Sequence, residues 1–195
     1  MSRDFTITTE DELLARYGHP SERARYKKID HIDSYCRLLI AHSPFLVLAT
    51  RSEDGLDCSP KGDEPGFVKV IDDKTIALPD RPGNNRVDGL RNVLYDPVVG
   101  LIFLIPGMNE TLRVNGRATI SADPDLLQRF EKDGRLPSTV LTVHVEEAFL
   151  HCGRALLASA LWDPARHVVR SELPSLNEIV GIHAAMTKAK LAVES

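Results

Sequence analysis

The motifs that announce the commonest chemistries are missing from this sequence. There is no GxGxxG, no Walker loop, no HExxH and no GxSxG. Their absence argues against a Rossmann dinucleotide enzyme, a P-loop NTPase, a zinc protease and a serine hydrolase. Cysteine is scarce: Cys36, Cys58 and Cys152 make an odd three, with no CxxC. A disulfide framework or cysteine-based zinc site is therefore disfavoured, and reduced thiols in a cytosolic protein are expected. Long apolar runs are missing too. VVGLIFLI at 98–105 is far short of a membrane span, and MSRDFTITTEDELLARYG at the start has no apolar signal core. The expectation is a soluble, cytoplasmic protein with no membrane contact. The net charge is -4, which gives no general attraction to nucleic acid, so any anion site must be local. Seven histidines are scattered along the chain. Strand alternation puts His144 and Glu146 on one face and Glu147 on the other, so no metal site is expected there.

What is present reads as an ordinary globular chain, 43% hydrophobic and 27% charged over 195 residues. That length suits one domain over 1–195 that buries its own core. Thr9 followed by Glu12 is a capping box and predicts a short helix ending near Gly18. Ile29, Ile32, Cys36, Leu39 and Ile40 have helical spacing within 21–42. The period then changes. FLVLAT at 45–50, LDCSP at 56–60, GFVKVID at 66–72 and TIALPD at 75–80 read as strands, with turns at Glu53-Asp54-Gly55 and Asp72-Asp73-Lys74. VDGLRNVLYD at 87–96 reads as a short helix. VVGLIFLIP and ETLRVNGRATISA are two further strands. A helix over 124–134 is capped by Asp123 and stopped by Gly134, and STVLTVHVEEAFLH alternates as a strand. CGRALLASALW and 175–193 are helical. The prediction is a helical segment over 9–42, a strand-rich barrel core over 45–150 and a helical segment over 152–193. Hairpin connections in place of helical crossovers argue for an antiparallel barrel with flanking helices.

One junction is rich in hydrogen-bond donors. LPDRPGNNRVDGLRN at 78–92 carries Arg81, Asn84, Asn85, Arg86 and Arg91 between a strand and a helix. A helix N-terminus offers unpaired N–H groups and partial positive charge, and Gly83 lets the backbone approach a guest. Asn84, Asn85 and Arg86 would then form a phosphate pocket. A polar helix start with solvated arginines is the competing reading. Ser59 and Lys61, in DCSPKGD at 57–63, add a hydroxyl and a charge suited to a phosphate or a flavin edge. A hairpin loop with a salt bridge has the same pattern. Thr111, Arg113 and Asn115 share one face of a strand, with Arg117 continuing it; they line either a cleft or a plain sheet surface. Arg154, Ser159 and the single Trp162 form a last group, and core or interface packing also accounts for the Trp.

The stretches FLVLAT, LDCSPKGD, GFVKVIDDKTIALPDRPGNNRVDGLRN, VVGLIFLIPG, ETLRVNGRA and HCGRALLASALWDP, in that order, resemble the pyridoxamine 5'-phosphate oxidase-like FMN-binding split-barrel proteins. The resemblance covers roughly residues 25–165. It implies a mainly β fold, a six-stranded antiparallel split barrel, with two FMN molecules at the interface of a homodimer. It implies phosphate contacts from Ser59, Lys61, Asn84, Asn85 and Arg86, with help from Arg81. Thr111 and Arg113 would lie near the flavin, and Arg154, Ser159 and Trp162 would reach it from the neighbouring subunit. A Lys at 61 keeps the charge that an Arg would bring and loses the bidentate fork. The C-terminal substrate motif of the vitamin B6 oxidases has no counterpart in AMTKAKLAVES, so pyridoxamine phosphate oxidation is not expected. The function that follows is an FMN-dependent oxidoreductase with an electron donor such as NAD(P)H. The alternatives are a flavin binder without turnover, or a haem-binding relative using His144, His151 or His167.

Overall fold

Alternating apolar residues dictate the sheet. In the computed structural model, which describes residues 5–194, seven strands run β1 (Phe45–Ser52), β2 (Gly55–Gly62), β3 (Lys69–Val70), β4 (Thr75–Asp80), β5 (Asp96–Leu104), β6 (Thr111–Ser121) and β7 (Thr139–His151). They form one sheet in the order β2-β1-β5-β6-β7-β4-β3, antiparallel at every junction. The residue pattern marks seven strands and the family resemblance implies six; the difference is β3, a two-residue pairing that is all that forms of GFVKVID. The sheet curls so that Leu46, Leu48, Ile76, Leu101, Phe103, Val114 and Val143 share one core. Alternation sends Ala77 and Val140 to the other side, where Phe130, Leu126 and Leu127 cover them.

Helices flank the sheet. Helix α1 (Glu10–Tyr17) has the predicted capping box, with Thr9 and Glu12 bonded reciprocally. The helical span expected over 21–42 is broken into α2 (Glu22–Tyr26) and α3 (Ser34–His42). The break has a cause: Ile29 exchanges both backbone hydrogen bonds with Ala148 on the free edge of β7, at 3.0 and 2.7 Å. Asp33 then restarts the helix by accepting from Cys36 N. Helix α4 (Asp88–Tyr95) packs across the ends of β1 and β5, and its Asn92 donates to the buried Thr50 hydroxyl at 3.0 Å. Helix α5 (Pro124–Gln128) is shorter than the predicted 124–134. The remainder closes as a tight turn in which Lys132 and Arg135 exchange backbone hydrogen bonds. Gly134 serves that turn with φ 72 and does not stop the helix. Helices α6 (Arg154–Ser159) and α7 (Leu176–Glu194) follow the barrel. Among the described residues no helix is long and apolar enough to cross a membrane.

A bulge corrects one expectation. Asn115 pairs with Glu147 but Gly116 pairs with Val145, so Glu146 is the extra residue. His144 and Glu147 therefore share the outward face, opposite Arg117 and Asn115, in place of the predicted His144–Glu146 pairing. Only glycine fits at 116: a Cβ there would lie 2.0 Å from the His144 carbonyl oxygen.

Candidate functional site at the split of the barrel

The curl leaves β2 at one edge and brings it toward β4. The two are joined by a side-chain bridge: Lys61 Nζ lies 3.0 Å from Asp80 Oδ1. Register explains why Lys61 points there. It pairs with Leu46, and Ser59 pairs with Leu48, so both face the core side of the sheet. At the top of this split lies a cleft of about 560 Å3. It takes in six of the predicted residues: Ser59, Lys61, Arg81, Asn84, Asn85 and Arg86. The junction after β4 forms one wall and the first turn of α4 another.

The local backbone is unusual here. Asn85 and Val87 both carry positive φ, 59 and 50. Asn tolerates that region, but a β-branched Val in it is strained by about 1–3 kcal/mol. Val87 is also the N-cap of α4 and offers no side-chain cap, so the first N–H groups of the helix are left for solvent or a guest. Asn84 Oδ1 accepts from Arg86 N at 3.1 Å, which keeps the Asn84 NH2 end for a ligand.

Four of the donors are each held by an aspartate. Ser59 donates to Asp57 at 2.7 Å, Arg81 Nε to Asp63 at 3.0 Å, and Arg86 Nε to Asp88 at 2.8 Å. Lys61 has Asp80. Asp63 also takes Lys132 Nζ at 2.5 Å. The Lys132 ammonium, then the backbone N–H of Glu64 and Arg81, hold the Asp63 carboxyl down at about 2, against the cost of partial burial. These pairs keep the donors ordered, and an entering anion must exchange with the carboxylates.

Two lining residues, Ser138 and Thr139, lie outside the stretches that sequence reasoning singled out. Thr139 pairs with Asp80, and its hydroxyl oxygen is buried without a hydrogen-bond partner among the described residues. A buried hydroxyl is ordinarily satisfied, so an orphan beside a donor-rich cleft fits a polar guest. The available signal was that Thr139 leads the apolar face Leu141, Val143, Val145.

The other predicted residues are not in this cleft. Thr111 and Arg113 are on β6 with Arg113 opposite Ile102, so they face outward, away from the core-side Lys61. The Arg113 guanidinium stacks 5.1 Å over the Phe149 ring, and its Nε is buried without a partner among the described residues. Glu147, on the same face, is held below the usual carboxylate range chiefly by Lys28. Arg154, Ser159 and Trp162 lie beyond the far end of β7. That strand has 13 residues between Thr139 and His151, roughly 40 Å of extended chain. Trp162 Nε1 donates to the Met108 carbonyl at 2.8 Å, which ties this segment to the β5–β6 loop. His144, His151 and His167 are exposed and do not line this cleft.

The pattern that defines the pyridoxamine 5'-phosphate oxidase family matches residues 32–152, more than half the chain. The chain belongs to that family. Among solved structures, a Lactobacillus delbrueckii protein provisionally named pyridoxamine 5'-phosphate oxidase is 19% identical over 63% of this chain and 98% of its own, with a TM-score of 0.50. That likeness establishes the fold, the split barrel of this family, and nothing finer. HupZ of Group A Streptococcus is 22% identical, over 61% of this chain and 93% of its own, with a TM-score of 0.49. An FMN-binding protein of Syntrophomonas wolfei is 13% identical, over 60% and 83%, with a TM-score of 0.47. No curated protein sequence matches. For a pyridoxamine 5'-phosphate oxidase family member, the cleft at the split has the donor set that a phosphate-bearing cofactor needs. It offers two cationic chain types, two asparagine amides, serine and threonine hydroxyls and uncapped helix N–H groups.

Proposed function

We propose that this protein binds FMN in the cleft at the split and acts as an FMN-dependent oxidoreductase, working as a cytoplasmic homodimer. The observation that carries this reading is the convergence of Lys61, Arg81, Asn84, Asn85 and Arg86 around one cleft beside the orphaned Thr139 hydroxyl. Arg86 and the uncapped start of α4 would hold the phosphate, with Lys61 supplying a second positive charge. Ser59 and Thr139 would turn their hydroxyls to the ribityl chain or ring edge. When bound, FMN supplies one- and two-electron redox chemistry at its ring. The chain contributes binding, orientation and positive charge, and no side chain in the cleft is required as acid or base.

Two copies are needed to use all the predicted residues. Lys61 and Arg113 are on opposite faces of one sheet, and Arg154, Ser159 and Trp162 are at its far end. A second copy docked on the outward face would bring its own distal segment to the cleft. That face suits docking. A row Pro60–Val47–Ile102–Arg113–Phe149 crosses five strands, and Phe45, Val98 and Ile102 are exposed apolar residues on it.

The deciding measurement is cofactor titration of the purified protein. An absorption band near about 450 nm, or saturable uptake of added FMN, is expected. A colourless protein that takes up no FMN overturns the proposal. Oxidation of NADH or NADPH with an electron acceptor separates the oxidoreductase from a binder without turnover.

A further inference from the structure

The segment that breaks the helical span also borders a cavity, at the other end of β7 from the split. Ile29 is tied to Ala148 by its backbone pair, and residues of α2, α3 and the end of β7 enclose about 340 Å3 beside it. That is the small end of the roughly 300–1,000 Å3 typical of ligand sites. Ile29, Leu39, Ala148, Phe149 and Leu150 give it apolar walls. Cys36 joins them as a neutral thiol, because burial pushes it up to about 12. Tyr35, 72% exposed, stands at the rim. No residue is common to this cavity and the cleft at the split.

The charged lining is Arg23, Lys27 and Asp33. Arg23 and Lys27 are four residues apart, so they share one side of α2, where like charges repel. Neither forms an ion pair among the described residues, although the neighbouring Lys28 is taken by Glu147 at 2.7 Å. Lys27 Nζ donates instead to the Leu150 carbonyl at 3.1 Å and stands 5.1 Å from the centre of the Phe149 ring. Its charge is thus fixed against the apolar wall. Asp33 is committed to the start of α3, where it accepts from Cys36 N at 2.7 Å. The lining therefore carries one positive charge in excess, beside an apolar interior. A monoanion with an apolar body matches both features. A dianion would exceed the available charge and meet Asp33.

We propose that this cavity is a binding site for an apolar monocarboxylate, an alkyl or aryl acid. Its chain packs against Leu39 and Phe149, and its carboxylate bridges Arg23 and Lys27. The apolar walls supply affinity by burying the chain, and the two cations select the acid over a neutral molecule of the same shape. The site does not depend on the flavin reading.

The test is calorimetric titration of the purified full chain with octanoate, octanol and acetate, with and without added FMN. Saturable octanoate binding is expected, with octanol about tenfold or more weaker for want of a charge-assisted contact. Acetate, which has the charge without the chain, should give no measurable binding. Arg23→Glu and Lys27→Glu should each bring octanoate down to the affinity of octanol. Both side chains are exposed, so the melting temperature should change little. Absence of octanoate binding overturns the proposal, as does equal binding of octanoate and octanol. Unaltered octanoate affinity in both variants also overturns it. Competition between octanoate and FMN would do the same, by making the cavity part of the flavin site. A chain that takes up no FMN but binds octanoate through Arg23 and Lys27 would fail the flavin reading and keep this one.

Discussion

Lys61 and Asp80 meet at 3.0 Å across the split, joining edge strand β2 to β4 where the barrel would otherwise gape. The same pair sets how strongly the cleft attracts an anion, because the carboxylate competes for the ammonium and repels a phosphate. The two substitutions should act in opposite directions. Lys61→Ala removes a charge-assisted contact and should weaken FMN binding about tenfold or more. Asp80→Asn frees the ammonium and should tighten FMN several-fold. Flavin fluorescence titration reads both, and a parallel loss in the two variants would show that the bridge matters only for structure.

Arg86 is well exposed, and among the described residues its side chain is engaged only by Asp88, two residues on. Its guanidinium is thus placed at the first turn of α4 and is cheaply released to a ligand. Arg86→Ala should cut flavin retention by about tenfold or more without lowering the melting temperature appreciably, since exposed ion pairs contribute little. Unchanged flavin content in the purified variant would return this stretch to a solvated helix start.

Gly116 is required by the bulge. Any side chain there must displace the His144 carbonyl, which is backbone and held in the β6–β7 ladder. Gly116→Ala should therefore destabilise the fold severely, by about 3 kcal/mol or more, seen as a large fall in denaturation midpoint. Gly83 is the contrast: a Cβ there meets nothing within 4 Å, so Gly83→Ala should leave stability almost untouched.

Much of this was legible in the sequence because it depends on local period and chain order. The alternation of FLVLAT and STVLTVHV, the capping box at Thr9 and the donor-rich stretch after β4 all predict what forms. The cleft residues from Ser59 to Arg86 are close in sequence and come together by simple hairpin geometry. The failures are non-local. Ile29 breaks a helix because Ala148, more than a hundred residues on, offers a free strand edge. Glu146 is bulged because of Gly116 on another strand. Thr139 lines the cleft because Asp80 is its register partner, and Thr111 and Arg113 face away from it because alternation is counted from strands that the sequence does not pair. None of these is readable without the sheet order.

Asp63 should give the protein a specific acid sensitivity. Its carboxyl sits at about 2, below the ordinary 3.8, chiefly because of Lys132. A depressed folded-state value means that the contribution is complete above about pH 4 and is lost as pH falls toward 2. It is worth up to about 2 kcal/mol. Asp63→Asn should therefore be less stable than the parent at neutral pH, with the gap closing below pH ~4. Urea melts from acid to neutral pH read this directly; a gap that does not vary with pH would mean the node works through shape alone.

The proposed two-copy site makes a prediction that the single cleft does not. Ile102 is on β5, faces outward and lines no part of the cleft at the split. A charge there leaves Lys61, Asn84 and Arg86 untouched. Ile102→Asp should nevertheless convert a dimer to a monomer, because a carboxylate in the middle of an apolar docking face is desolvated without a partner. If Arg154, Ser159 and Trp162 reach the flavin from the second copy, FMN affinity must fall as the dimer is lost, and adding protein should restore both together. Sedimentation and flavin titration over the same concentration range give the two curves. A monomeric variant that holds FMN as tightly as the parent would confine the site to one chain and leave those three residues with packing roles only.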